Sequence, residues 1–149
     1  MIHIIPNENR SMVVYRGQLT RPGGSGGVGN PALMVDGQIV PYDELDAWYR
    51  ERMMFDWRGQ PFHLNTYRNG RVQGGYSGHD DSWARAQGLE GSGYAGWICD
   101  VPESEIENVR VEKIDLLERW RYRKTFAVEP PKDLFVDVRP ATNQEWIRD

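Results

Sequence analysis

Four short turn signals, each set between β-forming residues, constrain this chain more than anything else in it. Tyr15-Arg16-Gly17-Gln18 and Trp57-Arg58-Gly59-Gln60 repeat an Arg-Gly-Gln tripeptide behind an aromatic ring. Tyr67-Arg68-Asn69-Gly70-Arg71 sets Asn-Gly behind another ring, and Asp36-Gly37 separates two apolar runs. Asn-Gly and Asp-Gly accept the positive φ angles that a tight turn between twisted strands requires. The spacing predicts strands over 12–15 and 18–20, a hairpin of 33–35 with 38–40, and a three-stranded meander through 55–57, 62–67 and 71–76. Gly74-Gly75 inside the last of these marks a bulge or a close approach by another backbone.

Around these hairpins the remaining chain reads as a mixture. Pro41 suits a first helical turn, Asp43 and Glu44 complement its positive end, and Leu45, Trp48, Tyr49 and Met53 recur at helical steps, so a main helix is predicted over 41–53. Asp80 or Asp81 caps a short helix through Ala84 and Gln87, with Gly88 as its left-handed stop. A strand is expected over 94–101. Pro102-Glu103-Ser104-Glu105 then restates the helix start of Pro41, ahead of 109–117. Residues 118–128 read as a long strand, with Trp120, Tyr122, Phe126 and Val128 on one face and Arg119, Arg121, Arg123 and Thr125 on the other. An edge strand over 134–138 follows. The expected fold is α+β: a twisted antiparallel sheet or half-barrel of about six to eight strands with one main helix packed on it. The Arg-Gly-Gln and Val-Pro-x-x-Glu copies recur at different spacings, which identifies shared turn and cap chemistry rather than a repeated unit.

At 149 residues the chain is long enough to bury a core without staples, and a single domain over 1–149 is expected. Its Gly-rich stretch at 22–31 is expected to be a flexible loop and its tail from about residue 139 to be loosely held. Six Trp, seven Tyr and four Phe suit a ring-filled sheet core or a binding face. The single cysteine, Cys99, excludes an internal disulfide and a multi-cysteine zinc cluster, in keeping with a reducing, cytoplasmic setting. No signal peptide and no membrane-spanning stretch is read from the sequence. With 18 Lys and Arg against 22 Asp and Glu, the net charge of −4 disfavours a general nucleic-acid coat and suits docking on a basic protein.

Catalytic signatures are sparse. His3, His63 and His79 lack zinc-helix spacing, no metal or cofactor site is read, Cys99 lies in an apolar strand, and no nucleophile elbow is present. The region from Ser77 to Gly93 is longer than most connections, and such loops often carry function. It holds His79, Asp80, Asp81, Trp83 and Glu90, an aromatic anchor among acids, and these are the expected partner-binding residues. The function expected on these grounds is non-catalytic protein binding. The role envisaged is an immunity or inhibitor protein of the bacterial cytosol that occludes a basic partner such as a toxin.

Two alternatives belong to other classes. Arg119, Arg121 and Arg123, interleaved with rings, form the one concentrated basic run. Arginines on phosphate and bases on rings would make it a nucleic-acid face, but strand alternation separates the two sets. Separately, Tyr15-Arg16-Gly17, Tyr76-Ser77 and Glu103-Ser104-Glu105-Ile106-Glu107 follow the Arg, Ser, Glu-x-Glu order that resembles the ADP-ribosyltransferase family. That resemblance implies an enzyme using NAD, with Arg16 holding the dinucleotide, Ser77 supporting the site and Glu105 assisting transfer. The chain departs from the family pattern in having no Ser-Thr-Ser and in placing Pro102 ahead of the glutamates.

Overall fold

The computed structural model describes residues 10–25 and 31–141. Among them the chain runs through β1 (Arg10–Tyr15), β2 (Gln18–Thr20), β3 (Gly24–Ser25), β4 (Ala32–Val35) and β5 (Gln38–Pro41), then a 3-10 turn at Tyr42–Glu44. β6 (Ala47–Trp57), β7 (Gln60–Arg68) and β8 (Arg71–Tyr76) form the meander, followed by α1 (Asp81–Ala86), β9 (Glu90–Ser92) and β10 (Gly96–Pro102). A second 3-10 turn at Glu103–Glu105 leads into β11 (Ile106–Asp115), α2 (Leu116–Phe126) and β12 (Val136–Pro140). Nine strands belong to one sheet, in the order β12-β11-β6-β7-β8-β10-β9, with β1 pairing β6 and β2 pairing β1. β3, β4 and β5 form a second, three-stranded sheet. The architecture is the expected antiparallel α+β type.

All four turn signals close hairpins. Arg16-Gly17, Asp36-Gly37, Arg58-Gly59 and Asn69-Gly70 share one geometry, with φ of 50 and 76°, 49 and 78°, 51 and 77°, and 52 and 75°. The flanking pairs Tyr15 with Gln18, Val35 with Gln38, Trp57 with Gln60 and Arg68 with Arg71 sit directly opposite each other. A Cβ at any of these four glycines would meet nothing within 4 Å, so they are required for their left-handed backbone and not for space.

The chain divides into two compact units. The first comprises, of the described residues, 52–112 and 138–141. Its core is Met53, Phe55, Trp57, Phe62, Leu64, Val72, Cys99, Val101 and Val111. Phe55 stacks on Phe62 at 5.5 Å, and Trp57 meets Phe62 edge-on at 5.9 Å. Glycine at 74 makes this possible, because a Cβ there would lie 2.6 Å from Phe55 Cζ and 2.8 Å from the His63 carbonyl. On the face away from the core, Arg52 Nε donates to Glu112 (2.8 Å), while Asp56 accepts from Arg110 (3.0 Å) and Asn108 (3.1 Å).

The second unit comprises residues 10–25, 31–51 and 113–137 of the described chain. It buries Val13, Leu33, Val35, Val40, Leu45 and Leu117. Tyr42 sits between Trp48 at 4.7 Å and Trp120 at 5.3 Å. Leu117 and Trp120 of α2, the main helix, join this cluster. Asp115 caps α2 by accepting from the Glu118 amide (3.0 Å), and Ala127 ends it in the left-handed region at φ 56°.

Helix and strand are exchanged relative to the sequence expectation in three segments. The predicted helix over 41–53 is a 3-10 turn followed by β6. Residues 47–51 are held extended there by pairing with β1, Val13 opposite Trp48 and Met12 opposite Tyr49. The predicted helix over 109–117 is the end of β11. The predicted strand over 118–128 is α2. Both Val-Pro-x-x-Glu copies do share a conformation: Pro41 and Pro102 each precede a 3-10 turn that opens into extended chain. Of the Gly-rich stretch, Gly24–Ser25 pairs with β4 as β3, while residues 26–30 lie outside the described residues. In the tail, β12 reaches Pro140 and the Ala141 amide donates to the Val109 carbonyl (3.0 Å); residues 142–149, with Trp146, lie outside them, as does His3.

Candidate functional site

The irregular excursion between β8 and β10 resolves into α1 and the β9–β10 hairpin of the first unit. Asp80 is the N-cap of α1, its Oδ1 accepting from the Trp83 amide at 3.0 Å. Gly88, at φ 76°, turns the chain out of the helix, and the Leu89 amide donates to the Ala84 carbonyl at 3.2 Å. Asp81 has a different task. Its Oδ1 accepts from Trp97 Nε1 at 2.9 Å, tying α1 to the buried ring beneath β10, and Arg85 lies over the same ring at 5.8 Å.

Trp83 is half-buried rather than projecting. Its ring lies 5.3 Å from Tyr76, 6.0 Å from Trp57 and 6.2 Å from Phe62, on the edge of the first unit's core. Trp83→Ala is therefore expected to destabilise the unit by about 3 kcal/mol. Chemical denaturation checks this, and a loss under about 1 kcal/mol would contradict the packing role. His79, Asp80, Asp81 and Glu90 are exposed.

The segment expected as a strand over 94–101 supplies β10 and, at the turn before it, exposed apolar surface. Glu90, Gly91 and Ser92 pair with Ile98, Trp97 and Gly96. The Ser92 hydroxyl accepts from the Ala95 amide at 2.9 Å and fixes the turn. Gly91 stands at φ 121° with the Gly96 carbonyl where its Cβ would be, so only glycine permits this pairing. At the tip Tyr94 is fully solvent-exposed, at 103 %, and Ile98 on the outer face of β10 is 40 % exposed. The signal for Tyr94 was Gly93 and Gly96 bracketing Tyr94-Ala95, a turn composition that lifts a ring away from any core.

The other candidates have local partners. Ser77 Oγ lies 3.2 Å from His63 Nδ1, and burial, followed by the nearby Arg52 charge, lowers the His63 pKa below the usual imidazole value. Glu105 Oε1 accepts from Trp57 Nε1 at 3.3 Å. Ser77 and Glu105 belong to the first unit; Arg16 belongs to the second, where its guanidinium lies over the Tyr15 ring. Cys99 is buried, and desolvation pushes its thiol up to about 11. Arg119, Arg121 and Arg123 lie on α2, which replaces the expected strand alternation with helical steps. Arg119 donates to the Pro131 and Leu134 carbonyls, Arg121 pairs with Glu118, and Arg123 pairs with Glu129. Among the described residues no three His, Cys, Asp or Glu side chains are grouped to hold a metal ion, and no helix is long and apolar enough to cross a membrane.

Comparison of the chain with protein-family models, with curated proteins and with solved structures finds no match.

Proposed function

We propose that this chain is a non-catalytic protein-binding module that engages its partner through α1 and the β9–β10 hairpin. The observation that carries the reading is Tyr94, a large ring held wholly in solvent on a turn whose geometry is locked by Ser92 and Gly91. An exposed tyrosine, with only two χ angles to fix, gives a partner apolar area at small entropic loss, the usual character of an interface anchor. Ile98 extends the apolar surface, and Asp80, Asp81 and Glu90 add carboxylates from α1 and β9. With a net charge of −4, such a face suits a partner with a basic surface. An inhibitor or immunity protein that occludes a toxin is the role we favour, acting in the cytoplasm.

The test is affinity for the co-purifying partner. Tyr94→Ala is expected to weaken binding about thirtyfold, roughly 2 kcal/mol, with the thermal midpoint unchanged because the ring buries nothing within its own chain. Association should also slow as salt rises. Equal affinity of wild type and variant would remove this face from the proposal.

A further inference from the structure

The first unit also carries an open surface depression of ≈ 290 Å³ lined by Thr66, Arg68, Asn69, Arg71, Gln73 and Asp100, all of them exposed. Its charge arrangement is unusual. Arg68 and Arg71 face each other directly across the Asn69-Gly70 turn, and like charges opposed on neighbouring strands repel. Arg71 is compensated, since its Nε donates to Asp100 Oδ1 (2.8 Å) and its Nη2 to the Asp100 carbonyl (2.9 Å). Arg68 has no hydrogen bond or ion pair among the described residues. The lining therefore keeps one positive charge in an acidic protein.

The polar groups left over are mostly donors. Arg71 retains Nη1. Thr66 Oγ1 donates to Gln73 Oε1 (3.3 Å), which leaves the Gln73 amide nitrogen free to donate into the depression. The Asn69 side-chain amide adds a further donor. Donors from β7, the turn and β8 suit a tetrahedral oxyanion better than a planar carboxylate, which offers only two oxygens.

We propose that this depression binds a small phosphate monoester, with Arg68 as its principal ligand. Because the depression is open, the substituent on the phosphate stays in solvent and the phosphate itself carries the recognition. Its principal ligand Arg68 lies on β7, outside α1 and the β9–β10 hairpin, so failure of the Arg68 test leaves the protein-binding reading standing.

The experiment is an NMR titration of the full chain with glycerol phosphate, inorganic phosphate, acetate and a short single-stranded oligonucleotide. Glycerol phosphate is expected to give saturable shifts at Thr66, Arg68 and Gln73. Inorganic phosphate should shift the same signals, and acetate should not. Arg68→Gln should weaken binding by about tenfold. Asp100→Asn should strengthen it by about threefold, because it removes the competing carboxylate and releases Arg71. Unchanged affinity in Arg68→Gln, weaker binding in Asp100→Asn, or preference for acetate would overturn the site. Tighter binding of the oligonucleotide than of glycerol phosphate would overturn the small-ligand assignment.

Discussion

Phe62→Ala is expected to lower the stability of the first unit by about 4 kcal/mol, near the upper part of the range for removing a buried aromatic. Phe62 is wholly buried and its ring meets those of Phe55, Trp57, Tyr76 and Trp83. The loss depends on how far these neighbours can collapse into the space. Two of them are tethered: Trp57 by its hydrogen bond to Glu105, and Tyr76 by donation to Gln60 at 2.9 Å. Phe55 is confined by the backbone at Gly74. The cavity should persist, so the cost includes lost packing as well as lost transfer energy. Equilibrium denaturation in urea measures it, and a loss below about 1.5 kcal/mol would show that the ring cluster can repack.

The second large effect is expected from the smallest change, Gly74→Ala, at about 3 kcal/mol. β8 is an inner strand, paired to β7 on one side and β10 on the other, so it cannot swing away from an added methyl. That methyl would meet the Phe55 ring at 2.6 Å and the His63 carbonyl at 2.8 Å. The ring is displaced only by unstacking it from Phe62, and the carbonyl belongs to the paired strand β7. Gly17→Ala is the control: φ is +76° there and space is open, so only backbone strain of about 1 kcal/mol is expected. Thermal unfolding of the two variants separates them, and equal losses would mean that crowding at residue 74 is not what matters.

The turns were legible because their information is local. Arg16-Gly17, Asp36-Gly37, Arg58-Gly59 and Asn69-Gly70 specify backbone angles that need no distant partner, and each set the register of its hairpin. The short helix capped by Asp80 and stopped at Gly88 was legible for the same reason. The longer segments were not. Leu45, Trp48, Tyr49 and Met53 fall at helical steps, yet β1 pairs with that stretch, Met12 opposite Tyr49 and Val13 opposite Trp48, and draws it into the sheet. Conversely, Trp120, Tyr122 and Phe126 alternate like strand residues, but Tyr122 and Phe126 are one helical turn apart and touch at 4.7 Å. A local clue was present in Asp115 and Glu118, spaced as an N-cap and its third helical residue.

The candidate site divides along the same line. From residue order alone follow the hairpin frame, the capping aspartate, the acidic balance and the solitary cysteine, since each depends on conformations or counts that neighbours in sequence settle. Which ring enters the core and which stands in water was decided in three dimensions: Trp83 packs against three rings, Trp57, Phe62 and Tyr76, at the edge of β6, β7 and β8, while Tyr94 was lifted onto a hairpin tip. The opposition of Arg68 and Arg71 beside Asp100 also depends on β10 lying against β8. Burial and charge pairing are sums over residues far apart in the chain, and only the assembled sheet determines which terms enter them.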